Sequence, residues 1–156
     1  MVDDGSATVG EVLNLLVRRN LLFRVVPSES AQYRLNVRLG SPEYPQAAGA
    51  DPSALALKVR RALGDEARSL RIYGSEVVIG RLTAEGTRGR LHLLNYGGRD
   101  LEGLRVRLRG SWPGGAAEVA GVGRVVLEDQ AAAEGGTEFT VPRLGPYAVV
   151  DLPQVP

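Results

Sequence analysis

The chain has one histidine, His92, set in the run RLHLLNYGGRD between Arg90 and Asp100. Imidazole is the side chain best suited to general acid and base work near neutral pH, so the first question is whether a nucleophile and an acid accompany it. Ser75 and Asp129 are the partners on which a serine-histidine-acid site would draw. Ser75 stands in YGSEV, which lacks the glycine-flanked elbow that exposes a nucleophilic serine, and no oxyanion hole can be located. His92 is therefore expected to be a hydrogen-bonded structural residue, and no catalytic residue is assigned. One histidine and no cysteine also leave only carboxylates to complete a metal site, so neither a metal nor another cofactor is expected. Disulfides, thiolate zinc sites and a cysteine nucleophile are excluded outright.

Two other chemistries draw on residues at hand. Glycoside hydrolysis needs two carboxyls about 5–10 Å apart across a cleft. Glu76, Asp100, Glu102, Glu128, Asp129, Glu138 and Asp151 are available, yet their spacing selects no pair. Glu128 and Asp129 lack the oxygen-ligand spacing of a calcium loop. Sugar binding needs an exposed aromatic ring on which a pyranose can stack. The candidates are Tyr96, beside a glycine pair, and Trp112, in the turn-like SWPGG, although a tryptophan folded back over the rim of the fold is the expectation for Trp112 and sugar stacking its alternative.

Charge narrows the field of partners. Of nineteen basic residues all but Lys58 are arginine, and eighteen acids bring the net charge to +1. No domain-wide basic footprint results, so nucleic acid is not expected as a partner. The start, MVDDGSATVG, lacks the basic and apolar regions of a signal peptide. Glu11, Arg18, Arg19 and Arg24 interrupt the apolar run from Val9 to Val26, so no membrane span is expected and the chain is read as soluble. The compartment stays open.

The elements that would position these residues fall into two groups, with a change of period near residue 70. Thr8 and Glu11 have capping-box spacing, and Val9, Val12, Leu13, Leu16 and Val17 share one face of a helix predicted to run to about Arg19. LLFRVV, from Leu21 to Val26, reads as a strand buried on both faces. YRLNVRL reads as one buried on a single face, with Tyr33, Leu35, Val37 and Leu39 inward. Asp51 and Pro52 open a second helix lined by Leu55, Val59 and Leu63 and stopped at Gly64.

Seven short strands are then expected, at 70–73, 76–83, 90–96, 104–109, 123–128, 137–141 and 147–152. In LRVRLRG the leucines and valine should face inward, and Arg105, Arg107 and Arg109 should form an outward stripe against acids such as Glu128 or Glu138, or a docking surface for an anionic or carbohydrate partner. Both faces of the strand around His92 carry apolar residues, so it is expected to be central, with a second sheet on one side and the helical region on the other. The fold class is α+β: a small helix-strand-strand-helix region over 1–69, then an antiparallel β-sandwich over 70–156.

RLHLLNYGGR, the arginine-alternating strand and GTEFTVPRLGPYAVVDL together resemble the C-terminal β-sandwich domain of bacterial glycoside hydrolases, notably β-galactosidase-like proteins. The resemblance covers roughly residues 70–152. It rests on Leu91, Leu93, Asn95, Tyr96, Phe139, Val141, Leu144, Tyr147, Val149 and Leu152, all treated as core-pattern positions. It implies a non-catalytic module that packs against a catalytic domain or a second subunit, because the catalytic acids of such proteins lie in other domains and none has a counterpart here. A carbohydrate-binding module using Trp112 and Tyr96 is the alternative, and a free-standing glycoside hydrolase the third reading. Residues 8–64 depart from that family and look like the trailing part of an α/β domain. An exposed apolar surface on LLFRVV would imply a partner or dimer.

Overall fold

The computed structural model describes residues 7–45, 51–86 and 88–153, which divide into two compact units, 1–68 and 69–156. The first unit is built on two helices. Helix α1 spans Ala7–Arg18 and places Val9, Val12 and Leu16 in the interior, while Val17 stays 37% exposed. Thr8 lies inside this helix, and its side chain is outside the described part of the structure. The helix ends in a Schellman motif: Leu21 N–H donates to the Leu16 carbonyl and Asn20 N–H to that of Val17, with Asn20 in the left-handed region at φ 54°. Asparagine tolerates that conformation better than most residues.

Helix α2, Pro52–Leu63, starts as expected. The Asp51 carboxylate accepts from Ser53 N–H at 2.8 Å, Pro52 takes the first turn, and Gly64 closes the helix at φ 74°. A single 3-10 turn follows at Asp65–Ala67. Leu55, Ala56 and Val59 meet Val12, Leu16, Leu21 and Tyr44 in the core of this unit, with Leu35, Val37 and Leu39 partly buried at its margin.

Neither expected strand between the helices forms. Residues 21–26 and 33–39 are irregular, and Leu22, Phe23 and Val25 are 38–46% exposed, so LLFRVV is not buried on two faces. The cause is local. Asn36 turns its amide back on the chain, its Oδ1 accepting from Ser30 N–H at 3.2 Å and its Nδ2 donating to the Ser30 carbonyl at 3.0 Å. The segment between the two runs closes on itself in this way, and a lone two-stranded hairpin is marginal in water. The inward alternation of Tyr33, Leu35, Val37 and Leu39 survives as half-burial.

The second unit is an antiparallel β-sandwich of nine strands. They are β1 Leu70–Tyr73, β2 Val78–Glu85, β3 Arg88–Asn95, β4 Leu101–Arg109, β5 Ala116–Val119, β6 Gly123–Val126, β7 Glu128–Ala133, β8 Gly136–Leu144 and β9 Tyr147–Pro153. One sheet has the order β1-β4-β8-β7 and the other β2-β3-β9-β5-β6. The α+β class and the sandwich are therefore as read from the sequence, with two strands more than expected. One is β5, AAEV, whose two alanines give a weak strand signal. The run 123–128 is two strands: β6 pairs with β5 in one sheet, the chain passes Leu127, and β7 pairs with β8 in the other. The switch is accompanied by a bulge between Glu128 and Ala131 and by a positive φ of 47° at Asp129.

Inward residues from both sheets make one core, including Leu70, Leu104, Val106, Leu108, Phe139 and Val141 on one side and Val78, Leu91, Leu93, Ala148, Val150 and Leu152 on the other. No helix among the described residues is long and apolar enough to cross a membrane.

Candidate functional site

Three neighbouring strands of the five-stranded sheet carry the groups that can meet a ligand. In the register of β2, β3 and β9, Ile79, Leu94 and Tyr147 form one row across the outer face. Arg81, His92 and Val149 form the next, then Thr83, Arg90 and Asp151, and then Glu85, Arg88 and Pro153. Strand alternation puts all of these on the side opposite Leu91, Leu93, Val150 and Leu152, which are at most 1% exposed. Leu94, Tyr96 and Tyr147 are 48%, 41% and 38% exposed. The strand of His92 is an inner one, second of the five, and its outer face keeps Leu94 exposed where the sequence led one to expect cover on both faces.

His92 is a hydrogen-bonded residue. Its Nδ1 lies 2.6 Å from the Tyr147 hydroxyl, with the two rings tilted by 31°. The supposed triad partners are engaged elsewhere: Ser75 Oγ accepts from Val77 N–H, and Asp129 accepts from Thr140 Oγ1 at 3.3 Å. Glu128, beside Asp129, joins no metal-binding cluster, and no group of three or more potential ligands occurs among the described residues.

The aromatic candidates separate. Tyr96 is exposed, with its hydroxyl donating to the Glu76 carbonyl at 2.8 Å, which fixes the ring while leaving surface open. Trp112 is the correction. It is 6% exposed, its Nε1 donates to the Arg109 carbonyl at 2.9 Å, and its ring fills the space that a side chain at Gly89 would take. An indole covered in this way offers no face to a sugar. It is the folded-back tryptophan that SWPGG leads one to expect, and the sugar-stacking alternative for Trp112 falls away.

The arginine stripe also differs from the expectation of a solvated row. Arg105 pairs with Glu138 at 2.7 Å, as anticipated for that acid. Arg107 is buried at 5% exposure, donating to the Glu134 carbonyl at 2.8 Å and lying 4.0 Å from Glu138. Of the three, Arg109 alone is exposed, Arg105 being half-buried. Arg107 is thus consumed by contacts within its own sheet, while Arg105 and Arg109 keep exposed side-chain surface.

A cleft of about 740 Å³ opens where β2, β3 and β9 end, lined by Thr83, Glu85, Arg88, Arg90, Asp151 and Pro153 among others. Its side chains are held by an ion pair, Arg90 Nε to Asp151 Oδ1 at 2.8 Å, and by Thr83 Oγ1 donating to the Arg90 carbonyl at 3.3 Å. The sequence offers Asp151 as an acid but does not reveal its partner Arg90, nor the neighbouring Thr83 and Glu85. They are brought together by register across three strands, which alternation within each strand does not reveal.

No family model matches the chain, and no curated protein matches it in sequence. Among solved structures it is similar to alpha-L-fucosidase isoenzyme 2 from Paenibacillus thiaminolyticus. The TM-score is 0.51 at 20% identity, over 67% of this chain and 18% of that one. The chain thus spans under a fifth of that glycoside hydrolase, and the likeness is one of fold. Of the positions carrying the sequence resemblance, Leu91, Leu93, Asn95, Phe139, Val141, Leu144 and Leu152 are buried. Tyr96, Tyr147 and Val149 face outward instead.

Proposed function

We propose that residues 69–156 form a non-catalytic accessory module of a carbohydrate-active protein of the glycoside hydrolase kind, packing against a catalytic domain or a second subunit. The chain's likeness in fold to part of a fucosidase chain is the observation that carries this reading. The arrangement of the acids supports it. Asp151 is tied to Arg90 and its side chain is 62% exposed, whereas a general acid in glycoside hydrolysis depends on an apolar pocket to keep its proton. The chain should therefore leave p-nitrophenyl α-L-fucoside and β-D-galactoside intact. Turnover that vanishes in Glu85→Gln or Asp151→Asn would replace the accessory reading with a hydrolase.

Carbohydrate binding is the second reading, and the outer sheet face favours it. Leu94, Tyr96 and Tyr147 are exposed on the same side of the sheet, and the hydroxyl of each tyrosine is already in a hydrogen bond. Rings fixed in this way lose little freedom when a sugar stacks on them. Trp112 takes no part in this reading.

A further inference from the structure

The cleft at the ends of β2, β3 and β9 has a composition that selects among ligand classes. Two guanidinium groups, Arg88 and Arg90, face two carboxylates, Glu85 and Asp151, so the formal charge of the lining sums to zero. A phosphate or sulfate would meet two carboxylates, and a metal ion would meet two guanidinium groups. An apolar ligand would strand all four. A neutral molecule rich in hydroxyls meets none of these objections, because a hydroxyl both donates and accepts. The Arg90–Asp151 contact uses Nε and one carboxylate oxygen. The remaining guanidinium N–H groups and carboxylate lone pairs can make charge-assisted hydrogen bonds to a ring's hydroxyls. Pro153 adds apolar surface for the C–H face of such a ring, and the volume falls in the range of small-molecule sites.

We infer that this cleft is a binding site for a neutral sugar ring, held by Arg90 and Asp151 with Arg88, Glu85 and Thr83 around it. The inference rests on the carbohydrate setting proposed above. Tyr147 lies four residues from Asp151 along β9, about 13 Å at the rise of an extended strand. A ring in the cleft and one on the tyrosine platform would therefore belong to a single oligosaccharide lying along the sheet.

The test is an amide chemical-shift titration of the full chain with lactose, cellobiose and methyl α-L-fucoside, and with inorganic phosphate as the anionic probe. At least one sugar should give saturable shifts at Thr83, Arg88, Arg90 and Asp151. Arg90→Leu and Asp151→Asn should each weaken that binding roughly tenfold or more, with unchanged thermal melts because the pair is exposed. No saturable shift with any of the sugars would overturn the site. So would saturation by phosphate alone. Shifts confined to Leu94, Tyr96 and Tyr147 would overturn the cleft while leaving the second reading in place. The accessory reading fails by a different readout, turnover of the aryl glycosides.

Discussion

A methyl group added at Gly89 would place its carbon 2.2 Å from the Trp112 ring, with φ outside the left-handed region, so the position is glycine for room and not for backbone freedom. Gly89→Ala should cost ~1–3 kcal/mol by overpacking. The double variant Gly89→Ala, Trp112→Leu should be more stable than the sum of the two single losses predicts, because the smaller residue gives back the space. Strict additivity in denaturant melts would mean that the indole does not sit on Gly89. Phe139, fully buried between the sheets, sets the upper end of the scale. Phe139→Ala should cost ~3–5 kcal/mol through lost burial and a cavity. Arg107 is the informative comparison. Its sequence pattern marks it as a solvated strand residue, but its 5% exposure and its bond to the Glu134 carbonyl predict a loss of ~1.5–3 kcal/mol for Arg107→Ala. Arg143→Ala, which breaks an exposed pair with Asp100, should cost under ~1 kcal/mol. Equal, small losses for the two arginines would return Arg107 to the solvated side.

Tyr44 belongs to the loop segment between the helices, packs with α1 and α2, and makes the first unit sensitive to alkali. Burial, then the neighbouring Glu43 carboxylate, raise its hydroxyl above the ordinary phenol value of 10.0. A raised folded value stabilises the unit below the unfolded value, and that contribution is lost as pH climbs through the folded one. Helical circular dichroism should therefore fall as pH rises above about 10, and Tyr44→Phe should move the loss to higher pH. Coincident alkaline transitions in the two proteins would show that Tyr44 is not the titrating group. What was legible at this scale depended on where each element's hydrogen bonds go. Helix α2 could be read whole because Asp51, Pro52 and Gly64 satisfy its ends locally. The sandwich strands were legible where strongly apolar residues recur at period two, as with Leu91 and Leu93 in β3 and Val150 and Leu152 in β9. LLFRVV shows the limit: its composition is that of a strand, but strand formation depends on a partner that neither Asn36's loop nor the rest of the first unit supplies. The same limit applies to the cleft, since Thr83, Arg90 and Asp151 become neighbours only through the pairing of β2, β3 and β9.

At the scale of the whole molecule, two surfaces are more apolar than their unit needs. One is the segment 21–26 in the first unit, where Leu22, Phe23 and Val25 are exposed without a ladder. The other is the row Ile79, Leu94 and Tyr147 in the second. Adjacent exposed apolar side chains of this size are normally covered by a partner. If the proposed packing role is right, the chain alone should associate, as a dimer or by slow aggregation, and a stable contact would bury about 1,200–2,000 Å² in total. Sedimentation velocity over a range of micromolar concentrations measures this directly. A weight-average sedimentation coefficient that rises with concentration is expected for the native chain. Replacing Phe23 and Val25 by serine tests the first surface, and Leu94→Glu tests the second. Each change removes exposed apolar area without touching either core, so folding should be retained and self-association lowered through whichever surface carries it. A chain that stays monomeric at every concentration would leave the packing proposal without support from either surface. Association untouched by both sets of changes would place the interface elsewhere on the molecule.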